Sequence, residues 1–190
     1  MQVAEQTPPV ATQNPQLLSK LRQDFGDCIL AEQHTCDGIP TFWVDRQHLL
    51  NLLQTLKEST NPVFEMLFDI TAIDERLRVH REGQPTSEFT VVYHLMSFSG
   101  NCDFRVKVPL EDRDLCLPTA TSVWPSANWY ERETWDMFGI EFEGHPNLCR
   151  IVLPPTWQGH ALRKEHPARA TEMEPFSLDD DKAIVEQEAL

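Results

Sequence analysis

Three stretches in the middle of the chain alternate apolar and polar residues with the period of a β-strand, and they narrow the possible folds more than any other feature. In 64–70, Phe64, Met66, Phe68 and Ile70 alternate with Glu65, Leu67 and Asp69. In 88–98, Phe89, Val91, Tyr93 and Leu95 share one face, and in 104–110 Phe104, Val106, Val108 and Leu110 alternate with Arg105 and Lys107. One apolar and one charged face per strand predicts a sheet covered by helices on one side only. The link "SGNC" at 99–102 reads as a hairpin turn. The charged segment 74–87, "DERLRVHREGQPTS", reads as a long surface connection.

Upstream, Asn14 and Pro15 make an N-cap followed by a helix-opening proline. Leu17, Leu18, Leu21 and Phe25 form an apolar stripe, and Gly26 can end the helix. Short strands are expected at 28–33 and 41–44. Asp45 can cap a second helix with Leu49, Leu52, Leu53 and Leu56 on one face. The order predicts an α+β fold, a two-layer domain with helices on one face of a mixed sheet, followed by an extended C-terminal arm. The expected boundaries are a disordered tail over 1–13, the α+β domain over 14–116, a helix plus extended arm over 117–167, and an acidic tail or linker over 168–190.

Bulk properties exclude several function classes. A chain of 190 residues, 41% of them apolar, can bury a core without staples. A net charge of -14 argues against nucleic acid and against adhesion to anionic lipid, both of which need clustered Lys and Arg. The five cysteines (Cys28, Cys36, Cys102, Cys116, Cys149) are scattered and contain no CxxC, as reduced thiols would be. The N-terminal segment lacks a basic region and an apolar core, so it does not read as a signal peptide. No run approaches the ~18 apolar residues of a membrane span, so direct membrane insertion is not expected.

The densest chemistry lies in 128–146, "NWYERETWDMFGIEFEGHP". Pro125, Ser126 and Asn128 offer a helix start and Gly139 a stop. On a helix Arg132, Glu133 and Asp136 fall on one side, and Arg132 can pair with Asp136 four residues on. Glu131 falls between Trp135 and Phe138. There it needs water or a cation from elsewhere, because an unpaired buried carboxylate costs several kcal/mol. Arg150, Arg163 and Lys164 are the available cations; Arg132–Asp136 and Glu131–Arg150 pairs within the chain are one reading, and it is compatible with a docking surface ordered by such pairs. The following Pro- and Gly-rich chain forms neither a regular helix nor a central strand and is expected to lie extended, partly on another subunit.

Other readings of the same residues are weaker. Glu131 with Glu133 or Asp136 could form a hydrolytic carboxylate pair, but no sugar-binding context accompanies them. His145, His160 and His166 with Cys149 could bind a metal, but their spacings match no zinc pattern. No dinucleotide fingerprint, phosphate loop, HExxH or GxSxG is present. Met66, Met96 and Met137 read as core. The residues alone therefore stop short of a reaction.

The segment "ERETWDMFGIEFEGHPNLCRIVLP" resembles the signature of the respiratory complex I 30-kDa subunit family, the C subunit of proton-pumping NADH–quinone oxidoreductase. The matching positions are Glu131, Arg132, Glu133, Asp136, Met137, Phe138, His145, Arg150, Ile151 and Val152. "TWQGHALRKEHP" is similar to the family's W-x-G-H-P-L-R-K-D-Y-P through Trp157, Arg163 and Lys164, departing at Ala161, Glu165 and His166. "MLFDITAIDERLRVHREG", "SANWYERE" and "PARATEMEPFSL" look like the bacterial form in which the C and D subunits are fused in one polypeptide.

The resemblance implies a scaffold subunit of the quinone-reducing module. It would have no catalytic, cofactor-binding or metal residue of its own, with FMN and iron–sulfur clusters held in partner subunits. The implied partners are the D subunit of complex I and neighbouring peripheral-arm subunits, with 128–167 as the interface. Glu131, Arg132, Glu133 and Asp136 would pair within the chain and across to D, and Arg150, Arg163 and Lys164 would meet carboxylates or backbone carbonyls, beside His145 and Trp157. The implied location is the cytoplasmic side of the bacterial inner membrane, peripheral through the complex. The equivalent subunit of a membrane-bound hydrogenase or formate hydrogenlyase is the alternative within the same superfamily.

Overall fold

The computed structural model describes residues 15–80 and 83–166. The polar segment 1–13, the Asn14 cap and the acidic segment 168–190 lie outside the described residues. In chain order the elements are α1 (Pro15–Phe25), β1 (Ile29–Gln33), β2 (Thr41–Val44), α2 (Leu49–Glu58), β3 (Met66–Asp74), β4 (Phe89–Ser97), β5 (Cys102–Leu110), β6 (Cys116–Pro118), α3 (Ala127–Phe138) and β7 (Glu141–Glu143).

Five strands form one sheet in the order β1-β2-β5-β4-β3, with β2 parallel to β5 and the other pairs antiparallel. β6 and β7 form a separate parallel pair. The mixed sheet with helices on one face is the α+β architecture expected from the alternation. Phe89, Val91, Tyr93 and Leu95 on β4 stand beside Leu110, Val108, Val106 and Phe104 on β5. All eight are buried in one cluster with Leu17, Leu21 and Phe25 of α1, the four buried leucines of α2, and Ala127, Met137 and Phe138 of α3. The opposite face carries His94, Arg105 and Lys107, with Lys107 lying 5.1 Å from the Trp43 ring centroid.

Local chemistry explains most boundaries. Asp45 accepts the Gln47 amide at 2.8 Å, capping a short 3-10 turn that leads into α2. Gly139 ends α3 in the left-handed region at φ 77°, where a side chain is disfavoured. The β4–β5 turn places Asn101 at φ 45°.

The alternation in 64–70 misplaces one face. A bulge between Leu67 and Asp69 shifts the register against β4, so Leu67 and Ile70 enter the core. Phe68 is left 46% exposed, stacked 5.2 Å from the His94 ring, and Met66 and Met96 are half-buried. Of the three methionines expected in the core, Met137 alone is buried. The β3 edge is closed by neighbouring side chains: Thr134 Oγ1 donates to the Ile70 carbonyl at 3.1 Å, and Trp124 Nε1 to that of Glu65 at 3.2 Å. This seats α3 against the sheet and fixes which side of the helix faces outward.

Candidate functional site

α3 and the irregular chain after β7 build the site. Asp136 is its centre. Its side chain is fully buried, and its Oδ2 accepts the amides of Ile151, Val152 and Leu153 at 3.0, 2.9 and 2.9 Å. Oδ1 meets Arg150 Nη1 at 2.5 Å. Burial raises the pKa of this carboxyl, but the Leu153, Ile151 and Val152 amides and the Arg150 guanidinium outweigh it, leaving a net lowering from 3.8. A turn of consecutive amides around an anion is a stable unit in itself, and here the anion is a side chain of α3.

The remaining contacts satisfy the C-terminus of that helix. The last carbonyls of an α-helix have no partner within it. Here the Asp136 carbonyl meets His160 Nδ1 at 3.0 Å, the Met137 carbonyl accepts the Leu162 amide at 3.0 Å, and the Phe138 carbonyl accepts from Arg163 Nε at 2.7 Å. Two arginines at a helix C-terminus also complement its dipole. Arg150 Nη2 reaches the carbonyls of Trp157 and Gly159 at 3.1 and 2.9 Å, holding the arm in its bent path.

Farther along, the arm reaches the sheet. Asp74, at the end of β3, accepts the Lys164 amide at 2.8 Å and pairs with Arg76. Burial opposes ionisation of Asp74, but Arg76 and the Lys164 and Arg76 amides prevail, holding its pKa at about 2. Arg76 also pairs with Glu165, while Arg163 reaches Asp112 at 3.3 Å and Glu165 at 3.4 Å. The guanidiniums of Arg76 and Arg163 lie 4.7 and 5.2 Å from the Phe89 ring centroid. Glu165 and His166, two departures from the family pattern, thus have defined places, His166 stacking 5.5 Å from Trp157.

Both expected ion pairs are replaced. Arg132 does not pair with Asp136: its guanidinium donates to the Cys149 carbonyl at 3.2 Å, to Cys149 Sγ at 3.0 Å and to the Arg150 carbonyl at 3.2 Å, and lies 5.2 Å from the Trp129 ring centroid. Arg150 does not pair with Glu131, because the cradle of amides has already drawn it to Asp136. Glu133 is exposed, and Lys164 enters the network through its amide. The carboxylates of Glu131, Glu133 and Asp136 consequently form no acid–base pair. The described part of the arm also packs on the chain's own helix and sheet, through Asp136, Arg163 and Lys164.

Glu131 has a different solution. It is fully buried, with Oε1 accepting the Ala120 amide and Oε2 facing Thr119 Oγ1, each at 2.6 Å. Among the described residues no Lys or Arg pairs with it. His145 Nε2 stands 3.9 Å away. Burial dominates over the Thr119 and Ala120 hydrogen bonds and raises its pKa from 4.5 to about 7. The groups proposed for a metal have separate partners: His145 at Asn128, His160 at Asp136, His166 at Trp157 and Cys149 at Arg132.

Asp74, Thr119 and Ala120 were missed in the sequence. Asp74 was signalled, since it follows Ile70 and Ala72 at core-facing spacing on β3. Thr119 and Ala120 carry no local mark.

While the polar groups of the arm turn inward, large apolar groups remain outside. Trp129, Val152 and Leu162 are 61%, 58% and 52% exposed. Among the described residues no helix is long and apolar enough to cross a membrane. Fold and site together define a class: an α+β domain carrying an ordered, irregular arm locked to one helix, with apolar residues presented outward.

The profile of the family described as "Respiratory-chain NADH dehydrogenase, 30 Kd subunit" matches residues 42–172, and the chain belongs to that family. It is 61% identical over 158 residues to the C/D subunit of NADH-quinone oxidoreductase from Nitrosospira multiformis, covering 83% of this chain and 26% of that protein. It is 53% identical over 174 residues to the C/D subunit from Methylococcus capsulatus, covering 92% and 30%. The chain thus spans under a third of the length of these relatives. Among solved structures, a trypsin-resistant fragment of Nqo5 superposes with a TM-score of 0.58 at 30% identity, covering 70% of this chain and 97% of the fragment. A polypeptide of an archaeal membrane-bound sulfane sulfur reductase superposes with a TM-score of 0.56 at 23% identity, covering 86% and 96%, a likeness of fold alone.

Proposed function

We propose that this chain is a non-catalytic scaffold of the quinone-reducing module of proton-translocating NADH–quinone oxidoreductase, holding the D subunit through the outer surface of α3 and the arm. In this reading it binds no cofactor, and electrons pass from NADH through FMN and iron–sulfur clusters in partner subunits to quinone. The assembly holds it at the cytoplasmic face of the bacterial inner membrane. Neighbouring peripheral-arm subunits complete its surroundings.

One observation carries the reading. Asp136, Arg150 and Arg163 spend their polar capacity fixing the arm, while Trp129, Val152 and Leu162 stay exposed on the elements so fixed. Rigid apolar anchors of this kind are suited to a partner with complementary pockets. The fused C/D organisation of the relatives supports the D subunit as that partner. The alternative of a hydrogenase-type machine is less favoured, because the relatives at 53–61% identity carry the oxidoreductase name.

The test is affinity purification of the tagged chain from detergent-solubilised membranes. Recovery with the D subunit and the flavin and iron–sulfur subunits is expected, with loss of that recovery for Trp129→Ala combined with Val152→Asp. A chain recovered alone from the soluble fraction, or with a subunit bearing paired nickel-ligand CxxC motifs, would overturn the proposal.

A further inference from the structure

Glu131 is a buried carboxyl whose hydrogen-bond partners accept either of its protonation states. Thr119 Oγ1 lies 2.6 Å from Oε2 and 2.9 Å from Thr121 Oγ1. A hydroxyl can donate or accept. When Glu131 is ionised, Thr119 donates to it. When Glu131 is neutral, its O–H donates to Thr119, which passes its own hydrogen to Thr121. The Ala120 amide serves Oε1 in both states.

Among the described residues, the titratable groups facing Glu131 are Tyr93 from β4 and His145 from the turn after β7. The Tyr93 hydroxyl is buried without a hydrogen-bond partner among the described residues, and burial together with the Glu131 charge raises its pKa well above the ordinary value. It therefore stays neutral. His145 is held at both ring nitrogens: Nδ1 accepts the Asn147 amide at 3.0 Å, so Nε2–H donates to the Asn128 carbonyl at 3.2 Å. That same Nε2 is 3.9 Å from Glu131 Oε2, with both side chains fully buried.

We propose that Glu131 and His145 form a proton-driven switch, in which loss of the Glu131 proton to solvent draws His145 Nε2–H from the Asn128 carbonyl onto the carboxylate. One proton leaves the site. Because Nδ1 is tied to Asn147, the 145–147 turn moves with the ring. This turn leads into Cys149 and Arg150, so the protonation of one buried carboxyl is felt at the start of the arm.

The test is NMR of the 190-residue chain from about pH 5.5 to about 8.5, following the Glu131 side-chain carboxyl carbon, the His145 ring nitrogens and the Asn147 amide. The expected result is one transition with a shared midpoint in all three signals. Glu131→Gln is expected to abolish the step at His145 and Asn147. Flat His145 and Asn147 signals across the Glu131 transition would overturn the proposal, as would the same step persisting in Glu131→Gln. Should that variant not fold, the wild-type chain still decides: no Glu131 transition in this range overturns the switch.

Discussion

The Asp136 carboxylate accepts the Val152 amide at 2.9 Å across sixteen residues of chain, and through this contact a helix side chain sets the path of an otherwise irregular segment. The amides of Ile151 and Leu153 converge on the same oxygen. Segments without secondary structure normally expose their polar backbone. Here one carboxylate replaces a partner strand, and the arm in return satisfies the last carbonyls of α3.

Asp136→Ala is therefore expected to be among the most damaging single changes. It strands three amides and leaves Arg150 beside a void, and breaking a buried pair in this way costs about 3–5 kcal/mol. Asp136→Asn keeps the shape and should recover little of that, since one face of the amide would present N–H groups to donors. Urea denaturation measures the loss, and limited proteolysis should show faster cleavage within 150–163. A cost under about 1 kcal/mol for both variants would show that the cradle contributes little.

Glu131 makes stability depend on pH in the opposite sense from Asp74 and Asp136. Its folded pKa of about 7 exceeds the ordinary 4.5, so between those values the folded state binds more protons than the unfolded. Its contribution is complete below the unfolded pKa and is lost as pH rises through the folded one. The shift corresponds to about 3 kcal/mol. Wild-type chain should lose stability from about pH 4.5 to about pH 8, and Glu131→Gln should flatten that slope. Asp74, held at about 2, contributes above the ordinary carboxylate pKa and loses its share as pH falls toward that value. Denaturant midpoints measured across this range give the slope, and equal slopes in wild type and Glu131→Gln would contradict the assignment.

How much of this was legible in the sequence depends on how local each cause was. α1, α2, β4, β5 and the end of α3 follow from period, caps and Gly139, all of which act within a few residues. The β3 face was misread because a bulge leaves no mark in the alternation of Phe64, Met66 and Phe68. Ion pairing was misassigned because spacing on a helix shows which charges can meet and says nothing of competing backbone donors. Arg150 goes to Asp136, and Arg132 to carbonyls and Cys149, because residues 149–153 fold back as a unit. Glu131 was recognised as a carboxylate needing a partner, but Thr119 and Ala120 are joined to it only by the path of the chain before α3.

Gly139 should resist substitution for two separable reasons. At φ 77° an added side chain is disfavoured by about 1–2 kcal/mol. A Cβ there would also fall 2.6 Å from His160 Nε2, displacing a ring whose Nδ1 holds the Asp136 carbonyl. Gly139→Ala is expected to lower the melting temperature, and the His160→Ala background should remove the steric part of that loss and leave the backbone part. A double-mutant cycle reads the coupling directly. A coupling indistinguishable from zero would mean that the ring gives way freely.

Trp129 should separate folding from assembly. It is 61% exposed, and the Arg132 guanidinium 5.2 Å from its ring centroid has its own hydrogen bonds to the Cys149 and Arg150 carbonyls, which do not involve the indole. Trp129→Ala should change unfolding free energy by less than about 1 kcal/mol. A buried aromatic anchor at an interface is worth about 2 kcal/mol or more, equivalent to at least about a thirtyfold loss of affinity. Titration of the purified D subunit with wild-type and Trp129→Ala chains, beside urea denaturation of each, gives both numbers. The interface reading expects unchanged stability with weakened binding. Equal binding by the two chains would remove Trp129 from the contact surface.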